Sequence, residues 1–327
     1  MIISASRRTD IPAYYSDWFY NRIKERFVLT RNPMNFHQVS KISLDPDVVD
    51  GIVFWTKNPI PMLDRLGELE NYMYYFQFTI TPYGKDIEPN LPSKSDKILP
   101  AFKRLSSVIG ADRVIWRYDP ILISEKYPVD CHIRAFEKIA KELRDYTRKV
   151  TISFIDADYR CVKNKIKELG LLDFPYETQV ELSSQLAEIA HSYGLVIDTC
   201  AEKMDLQKYG IEHAQCIDGK LLMKLLGYNL NVCKDKMQRL ECGCVTSVDI
   251  GMYNTCRNGC YYCYANYSNN TIEGNFAKRN PLSPLISGEI DKNDKITDRE
   301  IKSCRNTQTQ LSLNLFGADS QPLTFRN

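Results

Sequence analysis

The sequence predicts an α/β fold, a parallel (β/α) barrel that is partial or complete. Three features predict it. Short apolar runs alternate with helix-period segments through the first two hundred residues, the pattern of successive βα units. The runs are dense in Ile, Val, Phe, Tyr and Trp, as short strands covered on both faces require. Polar and charged residues stand at the end of run after run, and in parallel folds the carboxyl ends of the strands share one functional rim.

In chain order the runs are Ile2 to Ser6, Gly51 to Trp55, Tyr74 to Ile80, Arg113 to Trp116, Val150 to Phe154 and Leu195 to Thr199, with Val245 to Ile250 as a seventh. Seven or eight strands favour a barrel over an open sheet. They lead respectively into Arg7-Arg8-Thr9-Asp10, Thr56-Lys57-Asn58-Pro59, Thr81-Pro82-Tyr83, Arg117-Tyr118-Asp119-Pro120, Ile155-Asp156 and Cys200-Ala201-Glu202-Lys203 for the first six. Between them, Ile133, Phe136, Ile139, Ala140 and Leu143 form one apolar stripe, and Val180, Leu182, Leu186, Ile189 and Ala190 another, each at helical spacing. No G-x-G-x-x-G or Walker loop occurs, and 15 glycines leave a dinucleotide fold little to build on.

Composition narrows the function classes. The 327 residues carry 43 Lys+Arg against 41 Asp+Glu, a formal charge of +2, which argues against a protein that works by blanketing phosphates. The amphipathic segment from His132 to Lys149 is basic on its exposed face and reads as a solvated barrel helix. No apolar stretch is long enough to cross a bilayer, so no membrane partner is expected. Arg7 and Arg8 follow the first apolar residues instead of preceding them, so the N-terminus reads as a strand and not a secretion signal. Residues 1–266 read as the barrel with a cysteine-rich loop. Residues 267–327 read as a polar tail that wraps the barrel or is partly disordered, with a short helix near Asp298 to Cys304.

Eleven cysteines are the anomaly, nine of them from Cys200 onward. An odd number without an export signal points to the reducing cytoplasm, where clustered thiols hold metal. Cys131 and Cys161 stand apart and read as plain thiols. The sharpest signal is Cys256-Arg-Asn-Gly-Cys260-Tyr-Tyr-Cys263. Three thiolates at C-x3-C-x2-C can bind three irons of a cubane and leave the fourth open to a small molecule. A zinc site more often pairs C-x2-C with a second pair or with histidines, and the four histidines are scattered.

This motif, with Tyr262 as the aromatic residue before its last cysteine, resembles the radical S-adenosylmethionine superfamily. The resemblance implies an enzyme with a [4Fe–4S] cluster on Cys256, Cys260 and Cys263 that binds S-adenosylmethionine at the open iron. One-electron cleavage of the sulfonium would then give a 5′-deoxyadenosyl radical that abstracts hydrogen from an unidentified substrate, which is a small molecule, peptide or nucleotide. It also implies an electron donor such as a flavodoxin or ferredoxin. The motif departs from the usual plan by standing late in the chain, which circular permutation explains: Val245–Ile250 is then the usual first strand and Ile2–Ser6 the second. The strand ends Arg8-Thr9-Asp10, Thr56-Lys57 and Thr79-Ile80-Thr81 look like those of the spore photoproduct lyase-like branch (DNA repair photolyases). The whole chain, from Ser4-Ala-Ser-Arg-Arg-Thr-Asp to Cys263-Tyr-Ala-Asn, looks like a bacterial domain-of-unknown-function family. A zinc- or cluster-binding scaffold without catalysis is the alternative function.

The remaining assignments rest on position. Arg8, Thr9, Lys57, Thr81 and Arg117 are offered to hold S-adenosylmethionine, because the superfamily's Gly-Gly-Glu-like stretch is missing, and Tyr262 with its neighbours Tyr253, Tyr261, Tyr264 and Tyr267 is offered to stack on adenine. Asp119 and Glu202 are the candidates to orient substrate or take a proton. Cys200, Cys216, Cys242 and Cys244 are grouped as a possible auxiliary [4Fe–4S] cluster, with zinc or plain thiols as alternatives. Against that grouping, a strand at Val245–Ile250 would hold Cys242 and Cys244 about 20 Å from the rim. Cys304 is left unassigned.

Overall fold

The computed structural model describes residues 1–156, 160–163, 165–300 and 302–306. Eleven strands run in chain order: β1 Ile2–Ala5, β2 Phe27–Asn32, β3 Asn35–Ser43, β4 Gly51–Thr56, β5 Tyr74–Thr79, β6 Val114–Ile121, β7 Lys149–Phe154, β8 Val196–Thr199, β9 Glu212–His213, β10 Val248–Asp249 and β11 Lys295–Asp298. Eight of them form one parallel sheet in the order β10-β1-β4-β5-β6-β7-β8-β9. Among the described residues no pair joins β9 to β10, so the sheet is not closed, and its shape is compatible with a partial barrel.

Side chains alternate along each strand between two buried clusters. Ile3, Ala5, Ile52, Phe54, Phe76, Phe78, Val114 and Trp116 pack against the helices. The alternate set begins apolar with Ile2, Val53, Tyr75 and Ile115, which pack on Ile217, Leu222 and Val245. It then turns polar toward the carboxyl ends, where Lys57, Thr79, Arg117, Asp119 and Ser153 line a cavity. One face of the sheet is therefore apolar throughout. The other is plugged at the amino ends of the strands and open at the carboxyl ends.

The helices fall where their stripes put them, at Val129–Leu143 and Tyr176–Ser192. Two corrections concern strands. Val245–Ile250 contracts to the two residues of β10, because Val245 instead bridges Lys234. β10 nevertheless lies beside β1, with Ile3 opposite Val248 and Ser4 opposite Asp249, so the last strand of the sheet precedes the first in space. The hairpin β2–β3, with β11 added in parallel, forms a second, three-stranded sheet that the sequence reading missed.

The helix expected near Asp298 to Cys304 is absent among its described residues, since Asp298 ends β11. The segment after Asn266 holds a helix at Asn269–Ala277 and then crosses the Ser16–Glu25 helix. There Trp18 Nε1 donates to the Ser283 carbonyl at 3.0 Å, and Leu285 packs on Leu29 and Val39. Residues 307–327 and the side chain of Cys161 lie outside the described set. No helix among the described residues is long and apolar enough to cross a membrane.

Candidate cluster and substrate cavity

A cavity of about 1250 Å³ opens at the carboxyl ends of the sheet. All seven cysteines singled out in the sequence line it, as do Arg8, Thr9, Lys57, Arg117, Asp119, Glu202 and Tyr262. None of the four histidines does. His132 is buried elsewhere, between the Tyr118 hydroxyl and the Leu122 carbonyl, both at 2.9 Å.

The C-x3-C-x2-C loop is held by residues from the opposite end of the chain. Asn258, in its middle, is buried; its Nδ2 donates to Asp10 Oδ2 at 3.0 Å and its Oδ1 accepts from the Tyr14 hydroxyl at 2.9 Å. Asp10 also accepts from the Thr56 hydroxyl at 2.8 Å, the Lys57 amide at 2.8 Å and the Ala13 amide at 3.0 Å. Burial pushes the Asp10 carboxyl above its ordinary value in spite of these four donors. Asn90 Nδ2 donates to the Arg257 carbonyl at 2.8 Å, and Asn266 Nδ2 to the Cys256 carbonyl at 2.8 Å. Gly259 makes the bend at φ +72°, where a Cβ would stand 3.0 Å from Pro89 and Asn90. Cys256 and Cys260 are buried, and burial pushes the Cys260 thiol up to about 12.

Behind this loop lies Glu88, 1 % exposed. It accepts from Lys57 Nζ at 2.8 Å, from Lys94 Nζ, from the Thr81 hydroxyl at 3.0 Å and from the Tyr262 hydroxyl. Burial would raise its carboxyl, but the two ammoniums outweigh that and hold it at about 2. Burial would also lower both lysines. Glu88 overcomes this for Lys57, which rises, and fails to for Lys94, which has the Lys57 charge beside it and ends lowered. Thr81, offered as a ligand-binding residue, is 1 % exposed, stands outside the cavity lining and donates its hydroxyl to Glu88. Lys57 and Tyr262 do reach the cavity, with Lys57 Nζ 5.3 Å from the Tyr262 ring centre.

The second cysteine set is brought together from three stretches of chain. Cys200 follows β8, Cys216 follows β9, and Cys242 and Cys244 stand on the segment after the Gly219–Leu226 helix. Cys216, Cys242 and Cys244 line the cavity where it meets the apolar plug of Ile2, Val53, Tyr75 and Ile115. The Cys200 and Cys216 sulfurs are 3.2 Å apart, and Cys216, Cys244 and Cys242 lie close enough to shift one another's thiols.

Contacts with Cys200 and Cys244, and the Arg117 and Arg7 guanidiniums, lower the Cys216 thiol, while Cys200 and Cys244 are raised. Arg117 Nη1 lies 2.8 Å from the Cys216 sulfur, and Ile217 N donates to Cys244 at 3.3 Å.

Arg117 also pairs with Asp119, its Nε at 2.9 Å, and the Ser153 hydroxyl donates to the same carboxylate. Glu202 accepts from the Phe154 amide at 2.8 Å, and burial raises its carboxyl to about 7. Arg8 stacks over Tyr253 at 5.0 Å, and the buried Thr9 hydroxyl has no partner among the described residues. Of the tyrosines, Tyr264 lines the cavity alongside Tyr262, whereas Tyr253 and Tyr267 stack on each other.

Four residues of consequence were missed: Arg7, Asp10, Glu88 and Asn258. Arg7 and Asp10 stand in the strand-end motif Arg7-Arg8-Thr9-Asp10. Asn258 lay inside the cysteine motif. Glu88 carried no signal, since nothing in a linear run from Tyr83 to Leu91 says that two lysines will meet it.

Thiolates without histidine form a soft donor set that fits an iron–sulfur cluster. Among the described residues no three His, Cys, Asp or Glu side chains converge as the shell of a single metal ion. No curated protein and no solved structure shows a match to this chain. A family model matches residues 2–265, nearly the whole described chain, and the protein belongs to that family, described as a domain of unknown function (DUF1848).

Proposed function

We propose that the protein is a radical S-adenosylmethionine enzyme on a circularly permuted fold of that type, akin to the spore photoproduct lyase-like branch. The observation that carries this reading is the C-x3-C-x2-C loop itself, set on a cavity wall at the carboxyl ends of a parallel sheet. Cys256, Cys260 and Cys263 would hold a [4Fe–4S] cluster. With S-adenosylmethionine bound, that cluster supplies one-electron cleavage of the sulfonium and a 5′-deoxyadenosyl radical able to take hydrogen from a substrate.

The chain's own residues do the rest. Asp10, Asn258 and Asn90 hold the loop in register with the strand ends. Lys57 sets a buried positive charge near Cys260, which favours the thiolate form. The unpartnered Thr9 hydroxyl and Arg8 would take the polar groups of S-adenosylmethionine, and Arg117, bonded to Asp119, would give substrate a polar wall. Glu202, raised to about 7 by burial, suits proton exchange near neutral pH.

The test is 5′-deoxyadenosine release by anaerobically purified, dithionite-reduced protein given S-adenosylmethionine. The wild-type chain is expected to release it, and Cys260→Ala is expected to retain its fold and release none. A zinc-containing, iron-free protein without cleavage would establish the non-catalytic metal-binding scaffold instead.

A further inference from the structure

We infer that Cys200, Cys216, Cys242 and Cys244 are the four protein ligands of a second iron–sulfur cluster, distinct from the Cys256 loop and facing the same cavity. The inference rests on the reading above for the cluster's place in the same chemistry, and not for its ligands. Three observations carry it.

The first is the assembly of the thiols. Four of them, supplied by three separate stretches of chain, line one cavity, with the Cys200 and Cys216 sulfurs 3.2 Å apart. Three of the four, Cys216, Cys242 and Cys244, are buried in one cluster with Ile2, Tyr75, Ile217 and Leu222.

The second is charge. Arg117 Nη1 contacts Cys216 at 2.8 Å, and Arg7, which lies over the Trp55 ring and is near enough to feel Cys244 and Cys216, has its Nη2 buried with no hydrogen-bond partner among the described residues. A cubane with four thiolates is a dianion whose sulfurs accept N–H hydrogen bonds, so two guanidiniums balance its charge and give the orphaned N–H an acceptor.

The third is donor type. All four are thiols and no histidine lines the cavity, a set that takes an iron–sulfur cluster or zinc. Iron follows from the C-x3-C-x2-C loop on the same cavity, and a zinc measurement separates the two. Four protein thiolates also leave no iron open, in contrast to the three of the Cys256 loop.

Iron, acid-labile sulfide and zinc are measured on anaerobically purified wild type, on Cys256→Ser/Cys260→Ser/Cys263→Ser and on Cys216→Ser/Cys244→Ser, with far-ultraviolet circular dichroism confirming the fold. Each variant is expected to keep about half of the wild-type iron and sulfide, roughly four of eight irons. A triple variant that folds but carries no iron overturns the second cluster and leaves the radical reading standing. A triple variant that keeps all the wild-type iron sinks the radical reading and leaves the second cluster. One zinc per chain, lost only in Cys216→Ser/Cys244→Ser, overturns the iron assignment in favour of a single-ion site. Should the double variant misfold, Arg7→Gln/Arg117→Gln decides: a shifted cluster signal in electron paramagnetic resonance, with the thiols intact, is expected, and an unchanged signal overturns the placement.

Discussion

Asp10 and Asn258 lie 248 residues apart in the chain and are joined by a hydrogen bond of 3.0 Å in the buried wall of the cavity. That contact locks the cysteine loop to the end of β1 and, through Thr56 and Lys57, to the end of β4. A loop near the C-terminus is thereby made part of a rim built by the N-terminal half.

Replacing Asn258 with Ala removes one donor from Asp10 and the acceptor of Tyr14 in a single step. Unsatisfied buried groups of this kind cost about 1–3 kcal/mol each. The expected result is a fall of several degrees in thermal midpoint together with a loss of iron under mild chelation. A variant as stable and as iron-rich as wild type would show that the loop holds itself.

Gly259→Ala tests the bend directly. The residue combines a positive φ with a backbone that approaches Pro89 and Asn90 closely, so an added methyl costs about 1–3 kcal/mol of local strain and displaces Cys260 from Cys256. Iron content is expected to drop more than thermal stability does, because the strain is confined to the loop. Equal iron in the two proteins would contradict this.

Glu88→Gln leaves two buried ammoniums facing a neutral amide. Removing one partner from a buried ion pair costs about 3–5 kcal/mol, so urea denaturation is expected to show the largest loss of any single variant here. Lys94→Met, which leaves the Lys57–Glu88 pair intact, should cost distinctly less. The same group sets an acid limit. Its folded value, about 2, lies below the ordinary 4.5, so its stabilisation is present above pH 4.5 and is lost as pH falls toward 2.

His132 produces a second, higher window. Burial holds it at about 4 against an ordinary 6.5, so the unfolded chain takes up the proton first. Stability is independent of this group above pH 6.5 and falls between 6.5 and about 4, by on the order of 3 kcal/mol. Melting curves at pH 7 and pH 5 measure it, and His132→Gln is expected to flatten the difference. An unchanged slope in that variant would assign the loss to other groups.

Local pattern alone specified the βα alternation, the two long helices and the rim of polar strand ends, because strand and helix periods and the residues that follow a strand are properties of neighbouring positions. It also singled out the cysteines, since thiols are rare enough for their spacing to carry chemistry. Tertiary structure decided everything that depends on distant segments meeting. The sheet stays open between β9 and β10 among the described residues, Cys242 and Cys244 meet Cys216 in one cavity because their segment packs on the sheet's apolar plug, and β2, β3 and β11 pair because their partners lie outside the sheet that the apolar runs announce. Thr81 and Glu88 show the same limit at the site. Whether a strand-end hydroxyl faces a ligand or a buried carboxylate depends on which loop packs behind it, and that is set by the free energy of burying one anion among cations drawn from positions 57 and 94.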